Sequence, residues 1–111
     1  MDVEENPSSG CSWASYSHDS NCQYVVELLD TIKNYARTPG VYTSPYEWEL
    51  VMGSQGACTS AAAHGPLWYA HYDGVKSFGD YTKIGGWNSP TMHQYNGDTT
   101  MGGCGVDLSY F

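Results

Sequence analysis

The sequence predicts an α/β domain in which helices alternate with strands in the first half and strands follow one another in the second. Three observations support this: one amphipathic helical stripe, several short β-branched or aromatic runs bounded by turn residues, and their order along the chain. That order reads strand, helix, strand, helix, strand, strand, strand, which is typical of α/β folds. With 111 residues, 14% of them aromatic and only 14% charged, the chain is expected to form a single globular domain, residues 1–111.

The first helix is predicted from apolar residues at helical spacing between positions 25 and 36. Ser20 and Gln23 have the spacing of a capping box, which places the start of the helix near residue 20. Lys33 and Arg37 suit the negative end of the helix dipole, and Thr38-Pro39-Gly40 ends the helix. The apolar stripe consists of Val25, Leu28, Leu29, Ile32, Tyr35 and Ala36.

The remaining elements follow from turn residues and apolar runs. Residues 40–44 form a predicted strand, and Pro45 opens a short second helix that ends at Gly53. Three further strands are predicted over residues 66–73, 91–95 and 106–111. We expect Asn96-Gly97-Asp98 to close the second of these three strands.

The charge excludes two classes of partner. The net charge is −8, with only four Lys and Arg residues, so binding to nucleic acid or to an anionic membrane is not expected. No stretch is apolar for long enough to cross a membrane.

Four cysteines form an even set without a Cys-x-x-Cys spacing, which favours two disulfides over a metal site. Of the three possible pairings we prefer Cys11–Cys22 with Cys58–Cys104, the first closing a short loop and the second joining two distant loops. No metal and no cofactor are expected.

Disulfides indicate secretion or a lysosomal or digestive compartment, yet the sequence does not open with a basic start and an apolar run. We therefore expect the chain to begin inside a longer protein.

Asp2 and Glu4 are the most informative polar pair. Alternate residues of a strand point to the same face, so these two carboxyl groups project together. Most enzymes that cleave bonds between sugars use a pair of carboxyl groups in catalysis. The other predicted strands also end in polar or aromatic residues, and α/β barrels carry their active sites at such ends.

In this order, Asp2-Val3-Glu4, Gly40-Val41-Tyr42-Thr43-Ser44, Leu67-Trp68-Tyr69-Ala70-His71-Tyr72, Gln94-Tyr95 and Val106-Asp107-Leu108 resemble the lysozymes of glycoside hydrolase family 25. The resemblance covers the whole chain and is closest to secreted eukaryotic members. It implies a flattened, TIM-like β/α barrel. It also implies cleavage of the β-1,4 bond between N-acetylmuramic acid and N-acetylglucosamine in bacterial peptidoglycan, an antibacterial activity.

The resemblance also implies roles for individual residues. Glu4 corresponds to the general acid, Asp2 to the carboxylate that assists the substrate's own acetamido group, and Asp107 to a further acid in the pocket. The sugar groove is implied to include Tyr42, Trp68, Tyr72, Gln94 and Tyr95.

The family has a further aspartate on an earlier strand, so this chain resembles the C-terminal half of the domain, a partial barrel without its N-terminal strands. We expect it to be weakly active or inactive alone, and a complete domain to be monomeric. Two alternatives stay open: a small secreted carbohydrate-binding module stapled by disulfides, and a degenerate fragment without activity.

Overall fold

Two α-helices and four strands make up the regular structure of the protein, which is a computed structural model describing residues 1–5, 8, 10–35 and 37–111. The elements, in chain order, are α1 (His18–Asn34), β1 (Val41–Thr43), α2 (Pro45–Met52), β2 (Leu67–Ala70), β3 (Met92–Met101) and β4 (Cys104–Tyr110). Two short 3-10 helices, Trp13–Ser15 and Thr59–Ala63, lie before α1 and after α2. The predicted α/β class is confirmed.

The sheet has the order β1-β2-β3-β4. The first three strands are parallel, and β4 is antiparallel to β3. The N-terminal segment continues the parallel arrangement at the β1 edge: Val3 N–H donates to the Tyr42 carbonyl over 2.9 Å, and Tyr42 N–H to the Met1 carbonyl over 2.8 Å. The acid pair therefore lies beside the end of β1.

The two faces of the sheet differ in what covers them. Val3, Val41, Leu67 and Tyr69 are buried in one core with residues of both helices, such as Leu29. Tyr42 is level with Trp68, and Trp68 with Met92, so these side chains share the opposite face. That opposite face is the floor of an open groove.

The first helix begins earlier than predicted. The Ser17 hydroxyl accepts from the Ser20 N–H over 3.2 Å and caps α1, so Ser20 lies inside the helix instead of at its start. Of the predicted stripe, Val25 and Leu29 are fully buried, but Tyr35 is 78% exposed and caps the C-terminal end. Ala36 lies outside the described residues. Neither described helix combines the length and apolarity needed to cross a membrane.

The second helix agrees with its prediction. Pro45 occupies the first turn, the Ser44 side chain accepts from the Glu47 N–H, and Gly53 ends the helix at a φ of 87°. A side chain at Gly53 would be strained by that φ and would also collide with the His18 ring, 2.3 Å from its Nδ1. Glycine is therefore required there both by backbone conformation and by the contact between α2 and α1.

The hairpin of β3 and β4 is longer than predicted. Asn96-Gly97-Asp98 does not close β3, because register shifts between Gln94 and Thr99 absorb these turn residues and the strand continues to Met101. Asp98 adopts a φ of 58° within this irregularity. The last strand begins at Cys104, before the predicted residue 106, while β2 ends at Ala70, before the predicted residue 73.

The predicted disulfide pairing is wrong. Cys22 of α1 is bonded to Cys58, with their Cα atoms 5.5 Å apart, and Cys11 and Cys104 are exposed free thiols. The packing of α1 against the 3-10 helix Thr59–Ala63 brings Cys22 and Cys58 together. Cys104 instead lies at the exposed start of β4.

Candidate functional site

A groove of about 780 Å³ lies on the open face of the sheet and brings together every predicted site residue except Tyr95. The N-terminal segment contributes two acids, β1 and β2 contribute aromatic rings, and the hairpin contributes an amide and a third acid. These residues are Asp2, Glu4, Tyr42, Trp68, Tyr72, Gln94 and Asp107.

Strand alternation places the two acids of the N-terminal segment. Val3 points into the core and is fully buried, so Asp2 and Glu4 on either side of it face the groove. Burial raises the pKa of Glu4 above the ordinary value for glutamate, and the negative charges of Asp2 and then Glu47 raise it further. Glu4 therefore keeps its proton to a higher pH than a solvated glutamate does.

Two contacts from outside the groove hold this segment in place. The indole N–H of Trp13 donates to the Glu4 carbonyl over 2.9 Å. The Glu47 carboxylate accepts from the Glu5 N–H over 2.8 Å. Neither Trp13 nor Glu47 was identified from the sequence, because both contacts depend on how the chain folds, across 9 positions for Trp13 and 42 for Glu47.

Gln94 is the centre of a hydrogen-bond network under the groove and is only 5% exposed. Its Oε1 accepts from the Tyr42 hydroxyl over 2.5 Å and from the Tyr72 hydroxyl over 3.0 Å. Its Nε2 donates to Asp107 Oδ2 over 3.1 Å, while Asp98 N–H donates to Asp107 Oδ1 over 3.0 Å. Gln94 therefore ties two tyrosines to the third acid of the groove.

The aromatic wall is formed by two neighbouring strands. The rings of Tyr42 and Trp68 meet edge to face, with centroids 4.8 Å apart. Burial raises the pKa of Tyr42 well above the usual tyrosine value, and the neighbouring Tyr72 hydroxyl raises it further. The indole N–H of Trp68 is buried and has no partner among the described residues. The wall therefore offers flat apolar surface beside phenolic oxygens.

Tyr95 lies outside the groove. It follows Gln94 directly on β3, so its side chain points to the other side of the strand, where it is 7% exposed. Its ring contacts that of His93, with centroids 6.3 Å apart, and Lys76 Nζ lies 5.7 Å from its centroid. The structure thus places Tyr95 among packing residues, so its assignment to the sugar groove stays a prediction.

A second cavity of about 600 Å³ adjoins the groove and shares Glu4 and Tyr72 with it. Its wall includes Tyr46, Glu47, His71 and Asp80. This cavity was not expected from the sequence. Its position could have indicated it, because residues 45–47 lie one residue after β1 and residues 71–72 follow β2 directly, at the carboxyl ends of parallel strands.

One cluster of side chains beside this cavity has the composition of a metal site: His71, Asp73, Asp80 and His93, with ligand atoms within 4.8 Å of one another. These atoms already have protein partners. Both ring nitrogens of His93 face carbonyl oxygens, Ser77 O at 2.6 Å and His71 O at 2.8 Å.

The carboxylate of Asp80 is engaged in the same way. It accepts from the Tyr69 hydroxyl over 2.7 Å and bonds His71 Nδ1 at 2.5 Å. Burial alone would raise the pKa of Asp80, but the hydrogen bonds of His71 and Tyr69 outweigh burial and lower it. We assign the cluster to hydrogen bonding instead of metal binding.

The chain is similar to known proteins over its whole length. A family model described as "Lysozyme-like protein 1" matches residues 2–95. Probable GH family 25 lysozyme 3 of Dictyostelium discoideum is 42% identical over all of this chain and 22% of its own length. Counting factor 50 of the same organism is 40% identical over all of this chain and 34% of its own length.

A solved structure is also similar. The muramidase from Acremonium alcalophilum superposes with a TM-score of 0.76 at 28% sequence identity, covering 99% of this chain and 48% of that protein. The chain therefore spans less than half the length of each of these three relatives.

Proposed function

We propose that this chain, which belongs to the lysozyme-like family, carries the catalytic acids of a muramidase that cleaves the β-1,4 bond between N-acetylmuramic acid and N-acetylglucosamine in peptidoglycan. One observation carries the proposal: a glutamate whose pKa is raised by burial shares a groove with two further carboxyl groups and an aromatic wall. Such a groove suits a sugar chain, because aromatic rings pack on sugar faces and carboxyl groups supply acid and base.

Glu4 is the general acid of this proposal. A general acid must hold a proton at the working pH and release it as the bond breaks, and the upward shift of the Glu4 pKa by burial favours the protonated form. Glu4 gives its proton to the glycosidic oxygen while the bond from the anomeric carbon to that oxygen breaks. The resulting Glu4 carboxylate then takes a proton from the water that completes hydrolysis, which returns the acid to its starting state.

Asp2 has a supporting role. The carbonyl oxygen of the substrate's acetamido group attacks the anomeric carbon, so positive charge develops on the acetamido nitrogen. A carboxylate beside that group stabilises the charge. Asp2 lies in the same groove as Glu4 and lowers the acidity of Glu4 by its own charge. Asp107, held by Gln94 and Asp98, supplies a second fixed negative charge to the groove.

The aromatic residues and Gln94 have different roles in sugar binding. Tyr42, Trp68 and Tyr72 offer surface to the sugar. Gln94 is nearly buried, and three of its hydrogen bonds are already made, so it orients Tyr42, Tyr72 and Asp107 instead of binding sugar itself. Since both phenolic protons go to Gln94, the tyrosine oxygens remain as acceptors for hydroxyl and amide protons of the glycan.

We further propose that residues 1–111 are part of a flattened, TIM-like β/α barrel. Three parallel strands and a parallel N-terminal segment support this arrangement, as does the coverage of 48% of a muramidase. A secreted or lysosomal location fits the disulfide between Cys22 and Cys58. The complete domain would act as a monomer on bacterial walls.

The second candidate is a carbohydrate-binding module without hydrolytic activity. The aromatic wall of Tyr42 and Trp68 would serve binding equally well. A fragment that neither binds nor hydrolyses is the third outcome of the experiment below.

The decisive experiment measures loss of turbidity of bacterial walls by the protein as it is naturally encoded. Glu4→Gln, which keeps the shape but removes the acid proton, is expected to abolish lysis. Glu5→Gln is the matched control, because Glu5 neighbours Glu4 but does not line either cavity. Full lysis by Glu4→Gln would refute the assigned acid. Binding of walls without lysis by any form of the protein would favour the binding module.

A further inference from the structure

We propose that the second cavity binds the leaving-group side of the glycan, with the ring of Tyr46 as the surface on which the sugar beyond the cleaved bond packs. This inference rests on the proposed muramidase function. The second cavity is not among the regions that the family resemblance implied for substrate binding.

Glu4 lies between the two cavities. Glu4 lines both the groove and the second cavity, and Tyr72 is the other residue that the two share. A general acid must reach the oxygen that joins two sugars, so one sugar lies on each side of its carboxyl group. The groove contains Asp2 and Asp107, so it takes the sugar whose acetamido group attacks. The leaving sugar is then directed to the second cavity.

The wall of the second cavity has the chemistry that a sugar requires. Tyr46 is 67% exposed and offers a flat ring at the first turn of α2. Beside it, the Glu47 carboxylate supplies an acceptor for sugar hydroxyl groups. The volume of about 600 Å³ is in the usual range for small-ligand sites, roughly 300–1,000 Å³.

These groups are fixed by the fold and not by a flexible loop. Ser44 caps α2 by accepting from the Glu47 N–H over 3.1 Å, which sets the direction of the first turn that carries Tyr46. Glu47 is held by the Glu5 N–H, so the position of the α2 end is tied to the segment that carries Glu4. His71 is held by Asp80. The second cavity is therefore preorganised relative to the acid.

The test compares Tyr46→Ala with wild type in hydrolysis of a soluble peptidoglycan tetrasaccharide by the protein as naturally encoded. Loss of the ring is expected to lower kcat/KM about tenfold, the usual size of one aromatic packing contact. Tyr46→Phe should recover most of the loss because the ring is kept. Tyr35→Ala is the matched control: Tyr35 is 78% exposed and lines neither cavity.

A binding measurement separates this inference from the proposed function. The tetrasaccharide is titrated into the Glu4→Gln variant, and chemical shifts are followed by NMR. We expect shifts at Tyr46 and His71 as well as at Tyr42 and Trp68. Shifts confined to the groove, or equal kcat/KM for Tyr46→Ala and Tyr35→Ala, would overturn the inference. If wild type does not hydrolyse the tetrasaccharide but Tyr46 still shifts, the cavity is a sugar site and the muramidase proposal alone has failed.

Discussion

The side-chain amide of Gln94 donates a hydrogen bond to the carboxylate of Asp107 over 3.1 Å, and this contact sets the direction of the hydrogen bonds around it. An ionised carboxylate only accepts, so Nε2 of Gln94 must face Asp107 and Oε1 must face Tyr42 and Tyr72. The protons of both tyrosines are therefore directed inward. The groove presents oxygen acceptors to its ligand.

Gln94→Glu tests this network without changing its shape. The substitution places a second carboxyl group against Asp107, so in the folded protein the pair must share a proton, and its pKa rises above the unfolded value. Stability of the variant is then retained at low pH and lost as the pH rises through the folded pKa. At neutral pH we expect a loss of about 2 kcal/mol in the free energy of unfolding, measured by denaturant titration.

Gln23→Glu is the matched control for that prediction. Gln23 donates to Glu27 over 2.8 Å in the same way, but on the exposed surface of α1. Solvent screens such a pair, so the expected loss is at most about 0.5 kcal/mol. If Gln94→Glu loses the same unfolding free energy at acid and at neutral pH, the proposed contact with an ionised Asp107 is contradicted.

Glu47→Gln should shift the pH profile of hydrolysis. Burial, Asp2 and then Glu47 raise the pKa of Glu4, and the substitution removes the third contribution while keeping an acceptor for the Glu5 N–H. The pKa of Glu4 falls, and because the acid works protonated, the alkaline limb of kcat/KM moves to lower pH. Glu49→Gln is the control, since Glu49 lines the same cavity but is not among the charges that raise this pKa. If the alkaline limb of the kcat/KM profile of Glu47→Gln is unchanged or lies at higher pH, the assignment of Glu4 as the acid is contradicted.

The disulfide makes a separate prediction about stability. Replacing Cys22 and Cys58 together by Ala opens a link across 36 positions and is expected to cost about 3 kcal/mol in unfolding free energy. Replacing Cys11 and Cys104, which are exposed and free, should change it by less than about 0.5 kcal/mol. Alkylation without reduction should label Cys11 and Cys104 alone. Labelling of Cys22 or Cys58 would contradict the observed pairing.

Local patterns predicted much of this architecture. The Pro45 start and Gly53 end of α2 could be read directly, because caps and breakers act within one turn. The family resemblance, drawn from short runs in a fixed order, is confirmed by the match over residues 2–95 and by the 42% identity to a probable family 25 lysozyme. The expectation that polar strand ends lie together came from the likeness of the element order to α/β barrels.

Features set by tertiary contacts could not be predicted. The Cys22–Cys58 bond depends on how α1 packs on a 3-10 helix 36 positions later, and no local signal carries that information. Tyr95 lies outside the groove because adjacent strand residues face opposite sides, and the resemblance did not distinguish it from Gln94. The second cavity was missed because its wall comes from α2, the residues after β2 and the residues near Asp80, which meet only in the fold.

The identity of the new sugar end released from peptidoglycan tests the central claim most directly. Walls are digested with the protein as naturally encoded, the products are reduced with borohydride, and the reduced sugars are identified by mass spectrometry. A muramidase that uses Glu4 leaves N-acetylmuramic acid at the new reducing end, and Glu4→Gln releases none. Reducing ends of N-acetylglucosamine, or equal release by Glu4→Gln, would contradict the proposed bond or the proposed acid.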